Sequence, residues 1–318
     1  MCPWEPRRLE LTEILIKAGC NPITRNSKGQ TVFEVPIERE YTSVVELLLS
    51  YNVPLPPDIL PIALQKCSTP QMAEPMIRNG ADVHSTASDG NTVLHLAITK
   101  YAESICLDLV KRFIEAGCNP ITCNSEGQTV LETAITCGYT LVVEHLLSCN
   151  VPFPPNIIEI ALRQRSTPQM VKVLIRKGAD VHSTASDGNT VLHLAITEHA
   201  ESMCLDLVKT LIEAGCNSMA QDSDANTVLE AAMIRGYTSV AQYLLSRDIT
   251  LPPTFDILYK VLQQQCSPQM IQLLARKCAN DLVVMSESRW DTLLQLVHAS
   301  YTGVDRQWVV EILGDARG

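Results

Sequence analysis

Aromatic residues are scarce in this chain. They make up 5% of its 318 positions, although 46% of the positions are hydrophobic. A core built from this sequence must therefore come from Leu, Ile, Val and Ala rather than from rings. Positive charge is also in deficit: 25 Lys and Arg stand against 35 Asp and Glu, a net charge of −10. Phosphate backbones are held by clustered Lys and Arg, so no nucleic-acid partner is expected. No apolar run approaches the ~18–20 residues that a membrane helix needs. No block of like charge is long enough to be a tail or an address. The opening MCPWEPRRLELTE has neither the apolar core nor the small-residue cleavage site of a secretory leader. These absences predict a soluble intracellular protein, cytoplasmic or nuclear, without a membrane partner.

Motifs that carry chemistry are missing as well. The sequence contains no G-x-x-x-x-G-K-[ST], no G-x-G-x-x-G, no G-x-S-x-G and no H-E-x-x-H. No catalytic residue, cofactor or metal site is expected, and no enzyme. C-x-x-C is absent too, which disfavours a zinc site or a thioredoxin-like pair. The twelve cysteines instead follow a spacing. Cys20, Cys118 and Cys216 each follow a glycine at equal intervals, and Cys106 matches Cys204. A residue at one fixed place in each unit has a packing role, and free Cys behaves as a small buried hydrophobe.

What the sequence has in abundance is repetition. Ala81–Thr99 and Ala179–Thr197 are identical letter for letter, 98 residues apart. The 98-residue period divides into three smaller units. Unit a runs Ala81–Gly117 and Ala179–Gly215. Unit b runs Cys118–Cys149 and Cys216–Arg247, with an earlier copy at Cys20–Tyr51. Unit c runs Asn150–Gly178, with copies at Asn52–Gly80 and Asp248–Cys278. Each unit holds two short apolar-periodic segments separated by a polar turn. In GQTVLETAITCGYTLVVEHLLSCN (Gly127–Asn150), Thr129 is placed as an N-cap, and Leu131, Ala134 and Ile135 share one helical face. Cys137-Gly138 breaks that helix. Val142, Val143, Leu146 and Leu147 face the core from a second helix, and Asn150 ends it in the left-handed conformation. Helices of roughly ten residues do not stand alone in water. Stacked units cover each other's apolar faces in one continuous core, which is why the segment is copied.

GADVHSTASDGNTVLHLAI (Gly80–Ile98) resembles the ankyrin repeat. Thr92, Leu94, His95 and Ala97 match its T-P-L-H-x-A pattern, as do Thr190, Leu192, His193 and Ala195; Val93, Val130, Val191 and Val228 stand where that pattern has Pro. GYTLVVEHLLS resembles the family's G-H-x-x-V-V-x-x-L-L, with Tyr139 in place of His. The resemblance covers nearly the whole chain as about nine units and a partial one. It implies an all-α, ankyrin-like helical-repeat solenoid with short β-turn fingers, the fingers missing in every third unit. The domain division is a partial repeat or N-terminal cap over 1–19, the array over 20–278 and a degenerate repeat or C-terminal cap over 279–318. In that last segment Trp290 replaces glycine and Val297 replaces alanine. TKYAESICLDL in unit a is read as four extra residues between its two helices. In unit c, NVPFPPNIIEIAL replaces the finger, with Pro155 as the first residue of the new helix, and Thr167-Pro168 as cap and first position of the next. Three prolines of the first cycle, Pro36, Pro61 and Pro75, align with Ala134, Glu159 and Val173 in segments read as helix. Interior prolines cost about 3 kcal/mol each, so residues 1–80 are expected to fray or unfold before residues 81–277.

The resemblance also implies function: non-catalytic protein–protein interaction, as a scaffold or adaptor, by a monomeric chain. The alternatives are a regulatory co-factor that holds a transcription factor or an enzyme, and a fragment of a larger multidomain protein. His95 and His193 are expected to hydrogen-bond between neighbouring units, His84 and His182 to bond the local turn, and Asp89 and Asp187 to fix it. The family's binding surface, finger tips and concave inner-helix ends, carries over to Thr86, Ser88, Asp89, Asn91 and Lys100. It continues through Cys123, Ser125, Glu126, Gln128 and Thr136, then Thr184, Ser186, Asp187, Asn189 and Glu198, and last Gln221, Ser223, Asp224 and Asn226.

Overall fold

The computed structural model describes residues 5–22, 24–247 and 253–317. The start of the third c unit, 248–252, and the first four residues lie outside the described residues. The chain divides into two compact bodies, Met1–Pro152 and Phe153–Gly318.

The first body opens with α1 (Glu5–Lys17), α2 (Glu34–Glu38), α3 (Thr42–Ser50) and α4 (Ile59–Lys66). A 3-10 turn (Pro70–Met72) then leads into α5 (Ala73–Arg78). It continues through α6 (Val93–Lys100), α7 (Glu103–Glu115), α8 (Val130–Thr136) and α9 (Thr140–Ser148). The even-numbered helices form an inner row in which α2 packs on α4, α4 on α6 and α6 on α8; in the outer row α1 packs on α3 and α7 on α9. The second body has the same plan. Its inner row is α10 (Ile157–Arg163), α12 (Val191–Glu198), α14 (Val228–Ile234) and α16 (Thr254–Gln263), ending on α19 (Glu287–Ser300). Its outer row is α11 (Pro168–Arg176), α13 (Glu201–Glu213), α15 (Thr238–Ser246) and α17 (Pro268–Lys277). The short α18 (Ala279–Val283) and α17 both pack on the final α20 (Gly303–Arg317).

The core is aliphatic, as the shortage of rings requires. Leu94, Ile98, Leu131, Ile135, Leu162 and Leu192 are sealed from solvent, and Phe33 and Phe113 are among the few buried rings. Each fully buried Leu or Ile contributes roughly 1.5–3 kcal/mol, which these short helices need from their neighbours because they lack the length to be stable alone. Trp290 and Val297 are both buried in α19, so the degenerate last unit still supplies an apolar face.

Local signals set the helix ends. Thr129 caps α8 in a capping box: its hydroxyl accepts from the Glu132 amide, and the Glu132 carboxylate accepts from the Thr129 amide. Thr227 and Glu230 repeat the device on α14. Asn150 follows α9 in the left-handed region, φ 59°, as its position after the helix predicts. Thr167 accepts from the Met170 amide with Pro168 at the first helical position.

Four expectations are corrected. Pro155 is not the first helical residue: α10 starts at Ile157, and Pro155 lies in the preceding turn. The four extra residues of unit a do not form a link between helices. They add one turn to the start of α7 and α13, which have 13 residues against 9 in α9 and α15. Two of the first-cycle prolines do not sit in helix interiors. Pro36 and Pro61 are each the third residue of α2 and α4, within the first turn, where the amides have no intrahelical partner in any case. Pro75 does lie inside a continuous helical segment, 70–78, whose first three residues are 3-10 rather than α. In α2 the start is displaced from the position of Val130 in α8 to Glu34, and Thr31 keeps only half of the capping box. Its amide donates to Glu34, while its buried hydroxyl finds no partner. Cys118 and Cys216 are buried, their thiols directed at the carbonyls of Val83 and Val181, but Cys20 is exposed.

Candidate partner-binding surface

Short antiparallel bridges join Thr86 to Thr92, Cys123 to Thr129, Thr184 to Thr190 and Gln221 to Thr227. These are the bases of four β-turn fingers, in the a and b units. The c units run extended through prolines at 52–58 and 150–156, with no bridge among the described residues.

Within each finger a short acid or amide side chain folds the backbone back on itself. Asp89 accepts from the Asn91 amide and Asp187 from the Asn189 amide, both at 3.0 Å. In unit b the same work falls to an earlier residue. Asn124 accepts from the amides of Glu126 and Gln128, and Asp222 from those of Asp224 and Asn226. Hydrogen bonding holds both aspartates of unit a below the usual carboxylate range. Asp187 falls to about 2 because Arg163 donates to it first, with the Asn189 amide second.

Adjacent fingers are joined in the first body. Asn124 donates its side-chain amide to Asn91 at 3.0 Å, and the Ser125 hydroxyl donates to the Asp89 carbonyl. Gly90 makes the approach possible. A Cβ there would lie 2.6 Å from the Ser125 Cβ, and its φ of +76° is one that side chains rarely adopt. Deeper in, His95 links repeats as expected. Its Nε2 lies 3.1 Å from the Gln128 carbonyl oxygen and its Nδ1 2.8 Å from the Thr92 hydroxyl. A carbonyl only accepts, so Nε2 carries the proton and Nδ1 accepts from Thr92. His193 repeats both contacts with Asn226 and Thr190. Burial lowers both imidazoles and keeps them neutral. The two unit types thus use the third helical residue differently: His reaches across to the next finger, and Glu closes its own cap. His84 and His182 differ from expectation: the turn is bonded by their backbone amides, to Asp82 and Asp180, and the side chains are exposed.

The second body carries an ion-pair cluster where the first has a single bond. Arg163 on α10 contacts Glu159 at 3.0 Å, Asp187 at 2.7 Å and Glu198 at 3.7 Å. In the aligned place of the first body, Lys100 extends back to the Gln65 carbonyl at 2.5 Å. The cation has changed helix between the two cycles.

The carried-over residues therefore divide. Asp89, Asn91, Lys100, Ser125, Asp187 and Glu198 are engaged inside the protein. Asn189 and Asn226, like Asn91, are half-buried. Thr86, Ser88, Cys123, Glu126, Gln128, Thr136, Thr184, Ser186, Gln221, Ser223 and Asp224 are exposed. A cleft of about 260 Å³ lies behind the first finger pair, lined by Asp89, Asn91, Glu126 and Gln128 together with Asn124, Thr99 and Thr133. A second, of about 430 Å³, brings Gln221 together with Glu230, Phe255, Tyr259 and Lys260. Sequence reading missed Asn124 and Asp222; an Asx residue two positions before a turn amide was the available signal. Lys260 had none: its ammonium meets Glu230 at 3.4 Å and the Ala225 carbonyl at 2.5 Å from 30 and more residues away.

A family model described as ankyrin repeats (3 copies) matches residues 60–154 and 158–253. Two curated proteins are similar over 132 residues. The NF-kappa-B p105 subunit of Gallus gallus is 27% identical over 39% of this chain and 13% of its own length. The NF-kappa-B inhibitor zeta of Bos taurus is 30% identical over 40% of this chain and 18% of its own. The chain thus spans less than a fifth of the length of these relatives. A crystal structure of an ankyrin repeat protein superposes with a TM-score of 0.53 at 20% identity, over 61% of this chain and all of that one.

Proposed function

Because the chain belongs to the ankyrin repeat family, we propose that it is a non-catalytic module that binds another protein through its fingers and the adjoining ends of its inner helices. One observation carries this reading. Asp89, Asn91, Asn124 and Ser125 hold neighbouring fingers together by side-chain bonds, while beside them the side chains of Ser88 and Glu126 are exposed and engaged in no bond within the described residues. A rigid backbone that presents unused polar groups binds with little ordering cost. The array over 20–278 is the binding element, between the caps 1–19 and 279–318, and the chain acts as a monomer. The charge of −10 supports a protein rather than a nucleic-acid partner.

A regulatory role is the second reading, a chain that holds a transcription factor. Its support is the pair of relatives named for NF-kappa-B, one of them as an inhibitor.

Affinity capture with mass spectrometry tests both. Partners captured by the wild type and lost with Ser88→Lys, Glu126→Lys and Ser223→Lys together support the finger surface. Exposed substitutions of this kind change stability by about 0.5 kcal/mol or less. Equal recovery by the triple variant refutes the finger surface, and recovery without any transcription factor refutes the regulatory reading.

A further inference from the structure

Three residues that break the repeat pattern converge on one cleft of the second body. Ala225 stands in the Gln221–Thr227 finger where the other b units have Gly127 and Gly29, and it keeps their left-handed backbone, φ 57°. A Cβ is strained there, so glycine is the ordinary choice. Counted back from Ser267-Pro268, which aligns with Thr167-Pro168, Tyr259 replaces Glu159 and Pro61, and Lys260 replaces Ile160 and Ile62. In that register α16 also begins three residues earlier than α10, and the added turn carries Phe255. All four line the cleft of about 430 Å³, with Glu230 and Asp256. Lys260 ties its walls together. The ammonium meets Glu230 of α14 at 3.4 Å and the Ala225 carbonyl at 2.5 Å. Burial does not account for the rings. Phe255 and Tyr259 are only half-buried, 5.9 Å apart, in a chain with few aromatics.

We propose that this cleft receives a cationic side chain, Lys or Arg, of the partner protein, laid over the Tyr259 ring with its charge against Asp256. The proposal rests on the finger and inner-helix surface being the binding face. Charge selects the occupant. Lys260 is already paired with Glu230. Arg289 of α19 lies over the Phe255 ring, 5.3 Å from its centre, and its charge offsets that of Asp256. The finger then adds Asp222 and Asp224, with no Lys or Arg between 219 and 227, so acid is in excess. Among the described residues no cation lies over Tyr259, and the exposed Asp256 carboxylate, one turn earlier on α16, makes no bond. A cation within about 6 Å of a tyrosine ring centre is attracted by its face, and more strongly where water is excluded. Arg289 over Phe255 is the same contact made within the chain. Aromatic residues in pockets formed in advance are also where interface energy concentrates.

Solution NMR of the full chain, titrated with the capped tripeptide Gly-Arg-Gly, tests the cleft. Saturable shifts are expected at the amides of Ala225, Asp256 and Tyr259. The citrulline tripeptide, equal in shape but uncharged, should not produce them. Tyr259→Leu and Asp256→Asn should each weaken binding at least about fivefold, and Ser88→Lys should leave it unchanged. Circular dichroism establishes that Tyr259→Leu is folded; should it not be, Asp256→Asn, at an exposed carboxylate, gives the same reading. Absence of saturation, equal binding of the citrulline tripeptide, tighter binding of a glutamate tripeptide, or full binding by both variants each overturns the proposal. Affinity capture separates it from the finger reading. Partners lost with the triple finger variant but kept by Tyr259→Leu overturn the cleft alone. Partners lost with Tyr259→Leu but kept by the triple variant support the cleft and refute the finger row.

Discussion

The Tyr139 hydroxyl donates to the main-chain carbonyl oxygen of Tyr101 at 2.8 Å, 38 residues back, and Tyr237 repeats the bond to His199 at the same distance. Tyr101 and His199 in turn reach back one further repeat. The Tyr101 hydroxyl lies 3.3 Å from the Cys67 carbonyl, and the His199 Nε2 lies 3.2 Å from that of Ser166. A two-step ladder of side chain to backbone thus joins successive turns between inner and outer helices in each body. Tyrosine at 139, where the ankyrin pattern has histidine, is the residue that completes it.

Tyr139→Phe removes the donor and leaves the Tyr101 carbonyl without its partner. A hydrogen bond of this kind is worth about 0.5–1.5 kcal/mol. Chemical denaturation should show a loss in that range, with weaker amide protection in α7 and α9. An unchanged midpoint would remove the ladder from the account of stability.

His199 is the weak rung. Tyrosines occupy the aligned position in the other cycles, Tyr101 and Tyr301, each bonded to a carbonyl of the preceding repeat. His199 is buried with its Nδ1 unpartnered. Burial lowers its pKa, with the Ser166 carbonyl and Glu198 opposing and Arg165 assisting. The unfolded chain therefore binds the proton first, near the ordinary value of about 6.5. Stability is full above that pH and is lost as pH falls below it toward the folded-state value. The melting temperature of the wild type should fall between pH 7 and pH 5, and that of His199→Tyr should fall less. Some acid sensitivity remains in the variant, because burial lowers His95 and His193 as well. Parallel pH profiles for the two proteins would refute this account.

Pro36→Ala should let α2 begin at Val32, as α8 begins at Val130, and return the Thr31 hydroxyl to the Glu34 amide. A completed N-cap is worth roughly 1 kcal/mol. Hydrogen exchange resolved by residue should show new protection at Glu34 and at residue 36. If neither amide slows, the displaced start of α2 has another cause than proline.

The cysteines should separate by exposure under alkylation at neutral pH. Cys20 and Cys123 are exposed, whereas burial pushes Cys106 and Cys204 up to about 12 and Cys118 to about 11. Thiolate is the reactive form, so peptide mapping should find Cys20 and Cys123 modified first and the buried set only on unfolding. Fast modification of Cys106 or Cys204 in the folded protein would contradict their packing role.

The sequence by itself determined the repeat, its register and most helix ends. Each of those depends on residues within about four positions of one another: Thr129 with Glu132, Thr167 with Met170, Asn150 after Leu147, Asp89 with Asn91. Periodicity also placed the aliphatic core, because a face shared at i, i+3 and i+4 must be covered by something. It failed where proline met a helix. Sequence alignment put Pro36 and Pro61 inside, but each lies in a first turn, and α2 reached that by moving its own start a few residues at little cost. Only the tertiary structure decided which surface polar groups are already in use. Asp187 is engaged by Arg163 from 24 residues away, Lys100 by Gln65 from 35, and the Tyr101 carbonyl by Tyr139 from 38. It also decided that Leu11 and Leu15, indistinguishable by pattern from Leu207 and Leu211, are uncovered. Burial belongs to the neighbour as much as to the residue, and the neighbour is set by how repeats stack.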